Sequence, residues 1–171
     1  FLRPARFYER NQVELVLGQA ATALDLSARH ITLADGRQIG FEKLLLATGG
    51  RPRRLPIPGA DLDGIYYLRN LEDSDAIRSA LQGARRAVVI GGGFIGCEVA
   101  TGLAQLGLAT TVVELTPGVL SLVLDTERGS FIESFLRQQG VTVLTNTAAA
   151  RFVGEHGRVK AVVTNTGDEI A

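Results

Sequence analysis

Gly91, Gly93 and Gly96 stand in the spacing G-x-G-x-x-G, and Glu114 follows Gly96 by 18 residues. Glycines so placed suit one task. The first turns the chain sharply, the second lets backbone approach a pyrophosphate, and the third lets a helix lie close against a strand. A carboxylate about 20 residues further on can accept hydrogen bonds from the hydroxyls of a ribose. Residue type and spacing therefore point to the binding of a dinucleotide such as NAD.

That chemistry needs a strand before the glycines, a helix after them and a second strand carrying the acid. Ala87-Val88-Val89-Ile90 is a short apolar run, as expected of a parallel strand buried on both faces. The spacing predicts a helix to about Leu106, with Ile95, Val99, Leu103 and Leu106 on one face and Gly107 as a left-handed stop. Thr110-Thr111-Val112-Val113 reads as the second strand and ends at Glu114. A glycine-rich turn can also serve only to pack a helix on a sheet, but then neither the second strand nor the acid is required. From spacing alone, Phe94 reads as a core aromatic and Glu98 as a solvated carboxylate.

The remaining composition limits the alternatives. Eighteen basic and eighteen acidic side chains cancel, which gives no reason to expect a nucleic acid or an anionic membrane as partner. No apolar stretch approaches the ~18 residues of a membrane span, and the polar "FLRPARFYER" does not read as a signal peptide. Cys97 is the single cysteine. It reads as a small buried side chain, and a chain without disulfides suits a reducing, cytoplasmic setting. His30 and His156 lie beside turns, away from acids or cysteines at ligand spacing, and read as solvated; no metal site is expected.

The chain also repeats itself. Residues 13–39 and 141–170 share an apolar strand, a small-residue stretch, a hairpin, and a glycine turn leading to a short strand. Val13 aligns with Val141, Leu24 with Phe152 and Ile31 with Val159; after a three-residue insertion Gly36 aligns with Gly167 and Ile39 with Ile170. Leu44-Leu45-Leu46-Ala47 reads as a further buried strand, closed by Thr48-Gly49-Gly50. The fold expected is α/β, built of Rossmann-like dinucleotide-binding units, each a central parallel sheet with a β-meander crossover, both incomplete in this chain. Residues 1–83 would end one unit and carry a linker and helix, and residues 84–171 would form the second without its last strand. A further glycine fingerprint is expected before Phe1, and more chain after Ala171. Between the copies, 51–64 reads as a crossover loop, 70–83 as a helix capped by Asp73 or Ser74, and 126–139 as a helix with Phe131, Ile132, Phe135 and Leu136 facing inward.

In this order and spacing, "LLLATGGRPRRLPIPG", "YYLRNLEDSDAIRSAL" and "VVIGGGFIGCEVA" resemble the FAD-dependent pyridine nucleotide reductases, and among them the ferredoxin and rubredoxin reductases. The resemblance implies that Ala47, Thr48 and Gly49 lie close to FAD, with Arg53 near the same cofactor. It implies that Gly91, Gly93, Phe94, Ile95 and Gly96 form the NAD loop, that Phe94 gates the nicotinamide pocket, that Glu98 contacts the nicotinamide end, and that Glu114 holds the ribose. The activity implied is electron transfer from NADH through FAD to an iron–sulfur or rubredoxin-type carrier. An NADH oxidase or disulfide reductase of the same family, and a non-catalytic nucleotide-binding fragment, are the other readings. Exposed strand edges further lead to an expectation of self-association.

Overall fold

The computed structural model describes residues 3–171, and the chain divides into two compact units, residues 1–49 and 50–171. The sequence-based boundary at 83/84 lies within the second of these.

The first unit holds α1 (Ala5–Arg10) and an antiparallel three-stranded meander, β1 (Ala21–Asp25), β2 (His30–Leu33) and β3 (Gln38–Gly40), in the order β1-β2-β3. Leu33 is its single buried residue among those described. Val13–Leu17 and Leu44–Ala47 are not strands, contrary to the sequence pattern. A strand exists only where its N–H and C=O groups meet a neighbour's. These two segments have none, and Leu45 is left 86% exposed and Leu46 65% exposed. His30 is a half-buried strand residue, whereas His156 is exposed in a turn.

The second unit opens with the 50–70 loop and α2 (Leu71–Ala80). The cap of α2 is Asn70, one turn earlier than Asp73: the Asn70 side chain accepts from the Asp73 N–H at 2.8 Å, and the Asp73 carboxylate accepts from the Asn70 N–H at 3.1 Å. Asp73 thus closes a capping box from its third helical position instead of starting the helix.

β4 (Arg86–Ile90), β5 (Ala109–Val113) and β6 (Thr142–Leu144) then form a parallel sheet in the order β4-β5-β6, with α3 (Phe94–Gln105) and α4 (Thr126–Gln138) as the connecting helices. The core lies between sheet and helices and includes Cys97, Ala100, Val112, Val119, Leu136, Val141 and Val143. On α3 the buried stripe is Cys97, Ala100 and Leu103, while Ile95 and Leu106 are exposed. The small residues Cys97 and Ala100 lie near the glycine turn, where Gly96 brings the helix closest, and Leu103 is buried further along. On α4, Leu136 is buried and Ile132 packs on the core, but Phe131 is 72% and Phe135 46% exposed. Gly129 takes the inward place near the start of the helix, its ideal Cβ position lying 3.1 Å from the Val119 carbonyl oxygen.

A second meander, β7 (Ala149–Glu155), β8 (Arg158–Thr164) and β9 (Glu169–Ile170), completes the unit in the order β7-β8-β9. It repeats the first: Gly36 and Gly167 both have positive φ, +85° and +92°, and donate to the carbonyls of Leu33 and Thr164. The strand registers correct the alignment in one respect. Leu24 pairs with Ile31 and Phe152 with Val162, so Ile31 corresponds to Val162 and not to Val159. The three extra residues sit inside the β7–β8 hairpin, beside a register shift at Val153/Gly154.

The crossover loop clamps onto that hairpin. Phe152 N–H donates to Pro58 O at 2.8 Å, and Val159 N–H to Asp63 O at 2.8 Å. Gly59 has a φ of +80°, and a Cβ there would lie 2.5 Å from the Phe152 carbonyl oxygen. Gly59→Ala is therefore expected to destabilise the second unit by about 1–3 kcal/mol through overpacking and a disfavoured backbone. A urea unfolding midpoint equal to that of the wild type would contradict this.

Candidate functional site: the glycine loop and Glu114

The site starts at the end of β4. Gly91 has a φ of +105°, a value favouring glycine, and its N–H donates to Val113 O at 2.9 Å, continuing the sheet into the turn. A Cβ on Gly96 would lie 1.9 Å from the Gly91 carbonyl oxygen, so only glycine permits this approach of helix to turn. Gly93 caps α3 with no side-chain hydrogen bond, and a Cβ there would meet nothing within 4 Å. The N-terminal N–H groups of a 12-residue helix therefore face open space, where an anion can accept from them. These features fit a pyrophosphate.

Glu114 follows β5 and turns back into the loop. Its carboxylate accepts from Gly92 N–H at 2.5 Å, from Thr116 N–H at 2.7 Å and from the Thr116 hydroxyl at 2.6 Å. Burial raises this carboxyl, but the Thr116 hydroxyl, the Thr116 N–H and the Gly92 N–H outweigh it and hold the group below its ordinary value of 4.5. Glu114 is thus an anion at neutral pH, fixed beside the glycine turn.

Phe94 is 62% and Ile95 55% exposed in the first turn of α3, and Glu98, one turn after Phe94, is exposed as well. Phe94 is therefore no core aromatic; it and Glu98 share a face that solvent reaches. Cys97 is buried, its Sγ donating to Gly92 O at 3.4 Å. Burial first, then the Glu114 and Glu98 carboxylates, push its thiol up, which leaves it neutral and unreactive. Ala47, Thr48 and Gly49 are exposed at the end of the first unit, with Gly49 at a φ of +75°. Arg53 is exposed in the loop of the second unit; its neighbour Arg54 stacks on Tyr67, 5.1 Å from the ring centroid.

Sequence reasoning missed Gly92, Thr116 and the 115–121 loop. Gly92 occupies an unspecified position of the glycine pattern, yet a Cβ there would lie 3.0 Å from Val119 Cγ1 and 3.1 Å from Glu114 Oε2. Its carbonyl also accepts from Leu120 N–H at 2.8 Å, which draws the 115–121 loop onto the turn. Three consecutive glycines, where the pattern needs two, were the available signal.

The pyridine nucleotide-disulphide oxidoreductase family matches residues 5–171, nearly the whole chain. The chain belongs to this family. It is 42% identical over 164 residues to the biphenyl dioxygenase system ferredoxin–NAD(+) reductase component of Paraburkholderia xenovorans, covering 96% of this chain and 40% of that protein. It is 34% identical to the rubredoxin-NAD(+) reductase of Ectopseudomonas oleovorans, over 99% of this chain and 44% of that one. Among solved structures, a ferredoxin reductase from Rhodopseudomonas palustris superposes with a TM-score of 0.90 at 34% identity, covering 99% of this chain and 42% of that one. The reductase of the covalent putidaredoxin reductase–putidaredoxin complex gives 0.84 at 33%, covering 99% and 42%. The chain thus spans about two fifths of the relatives it matches. The resemblance read from the three sequence motifs and this family membership agree, as do the α/β fold class and the parallel sheet. Among the described residues no helix is long and apolar enough to cross a membrane.

Proposed function

We propose that this chain carries the NAD-binding part of an NADH-dependent flavoprotein reductase that passes electrons through FAD to a ferredoxin- or rubredoxin-type carrier. The observation that carries this reading is the pairing of an open, side-chain-free helix N-terminus with an anionic Glu114 tied to Gly92 at 2.5 Å. NADH, when bound, supplies a hydride for a flavin. The chain's part is to hold it: Gly91, Gly93 and Gly96 shape the turn, the α3 N–H groups meet the pyrophosphate, and Glu114 accepts from the adenosine ribose. Phe94, Ile95 and Glu98, exposed on the first turns of α3, are assigned to the nicotinamide end. Ala47, Thr48, Gly49 and Arg53 are assigned to FAD. The relatives that are ferredoxin and rubredoxin reductases support the choice of acceptor. The gene's full product is expected to reduce an iron–sulfur ferredoxin or rubredoxin with NADH faster than it reduces oxygen or a disulfide. Faster turnover of either of the latter would overturn the choice of carrier.

Flavin and self-association are tested on the chain itself. Its FAD residues offer no second glycine cradle among the described residues, so the purified chain is expected to be colourless. Its exposed apolar side chains at Leu45 and Leu46 are expected to draw copies together. A yellow protein with stoichiometric flavin, or a strictly monomeric species by light scattering at high concentration, would contradict the respective expectation.

A further inference from the structure

The hydrogen bonds around Glu114 hold one more donor than nucleotide binding can leave in place. A carboxylate has about four acceptor positions. Three are taken, by Gly92 N–H, Thr116 N–H and the Thr116 hydroxyl. A ribose diol brings two O–H donors, so one of the resident three must leave. Neither backbone N–H has a second acceptor among the described residues. The Thr116 hydroxyl does: the Gly118 carbonyl oxygen lies 2.9 Å from it. Its single proton goes to the carboxylate in the structure's geometry, since 2.6 Å is the length of a charge-assisted O–H···O⁻ bond. The Ser121 hydroxyl donates to Thr116 Oγ1 at 2.7 Å, so that oxygen keeps a partner when its own proton turns away.

We propose that Thr116 is a positioning residue with two settings. Its hydroxyl donates to Glu114 until the ribose arrives, then rotates its proton to the Gly118 carbonyl and yields the acceptor position to a ribose hydroxyl. The hydroxyl oxygen draws back from the carboxylate as it does so, since two oxygens 2.6 Å apart with no proton between them repel. The inference rests on the assignment of Glu114 to the ribose. It makes Thr116 a guard that keeps the carboxylate charged and aligned, and Ser121 the anchor of that guard. The ionisable group that α3 brings toward the carboxylate is Cys97, whose thiol feels both Glu114 and Glu98. The facing lengths of β5 and β6 and the 115–121 loop carry none, and the next charged group along the chain, Asp125 at the start of α4, pairs with Arg128.

The test is NADH binding by the wild-type chain, Thr116→Val and Thr116→Ser, from pH 8 downward. A bond that is exchanged and not simply lost leaves affinity intact, so Thr116→Val is expected to bind NADH at pH 8 at least as tightly as wild type, by up to roughly five-fold. Its affinity should fail at a higher pH than wild type on acidification, because Glu114 has lost a donor to its charged form. Thr116→Ser should follow wild type in both respects. Weaker binding by Thr116→Val at pH 8, or an unmoved acid limb, overturns the proposal. A second measurement needs no variant: an NADH analogue lacking one adenosine-ribose hydroxyl should bind wild type within about five-fold of NADH, since the missing donor is replaced by Thr116. A loss of about thirty-fold or more overturns it. If Glu114→Gln leaves NADH affinity unchanged, the ribose assignment fails and the proposal falls with it. Weakening by both Glu114→Gln and Thr116→Val rejects the Thr116 switch alone.

Discussion

Gly96→Ala is expected to cost the second unit about 3 kcal/mol or more, and Gly93→Ala almost nothing. The two positions differ in what a methyl group would meet. At Gly96 it would lie 1.9 Å from the Gly91 carbonyl oxygen, 3.0 Å from the Gly91 carbonyl carbon and 3.5 Å from Val89 Cγ1. All the near atoms but the last are backbone of a turn that the sheet itself fixes, so the helix must move away. Overpacking of this kind costs about 1–3 kcal/mol and more where backbone cannot yield. Total stabilities run to about 5–15 kcal/mol, so the loss is a large share. At Gly93 the φ of −76° suits any residue, and nothing lies within 4 Å. A methyl there stands instead in the approach of a pyrophosphate. Gly93→Ala should keep the wild-type urea midpoint and weaken NADH by roughly ten-fold or more, about 1.4 kcal/mol. A Gly96→Ala chain with the wild-type midpoint, or a Gly93→Ala chain that binds NADH normally, would contradict the geometry.

Glu114 is expected to make the chain select NADH over NADPH. Its carboxylate is held as an anion by Thr116 and Gly92, and it would face the 2′-phosphate of NADPH. Two like charges about 4 Å apart repel by about 1–4 kcal/mol, depending on the local dielectric. A 2′-phosphate normally needs an arginine beside it. The segment "LTPGVLSLVLD" after Glu114 has no basic residue, and the next, Arg128, is paired with Asp125. The wild type should therefore favour NADH by roughly ten-fold or more. Glu114→Ala should lose about 2–3 kcal/mol of NADH affinity, the worth of hydrogen bonds to a charged group, and bring the two nucleotides close to equal. Because alanine also removes the acceptor for Gly92 N–H, Glu114→Gln is the second variant: it keeps the shape and lacks the charge. An unchanged ratio in both would remove Glu114 as the discriminator.

The parts of this structure that could be read from the chain are those where local pattern and tertiary packing agree. Ala87–Ile90, the three glycines and the strand ending at Val113 are one compact βαβ start, and each residue there has a single reason for its identity. The inner face of α3 was legible only in part: Leu103 and Cys97 are buried as read, whereas Ile95 and Leu106 are not. Helical periodicity favours the largest apolar residues, Ile95 and Leu106, but near the glycine turn, where Gly96 brings the helix closest, the small Cys97 and Ala100 are the buried ones. The apolar run Leu44–Ala47 misled for the opposite reason. Composition can show that a segment suits a buried strand, yet only a neighbour's backbone makes it one. The hairpin insertion was misplaced because Val159 and Val162 are both strand valines, and register alone separates them. Thr116 escaped notice since its role depends on three hydrogen bonds that the chain's turn at Pro117–Gly118 creates.

Nucleotide binding by residues 86–114 underlies every role proposed for this chain. The direct measurement is calorimetric titration of the wild-type chain with NADH. It should give saturable binding with one NADH per chain, and Gly93→Ala should weaken that binding without unfolding the protein. A folded wild-type chain that takes up no NADH, or takes it up equally well after Gly93→Ala, would contradict the account.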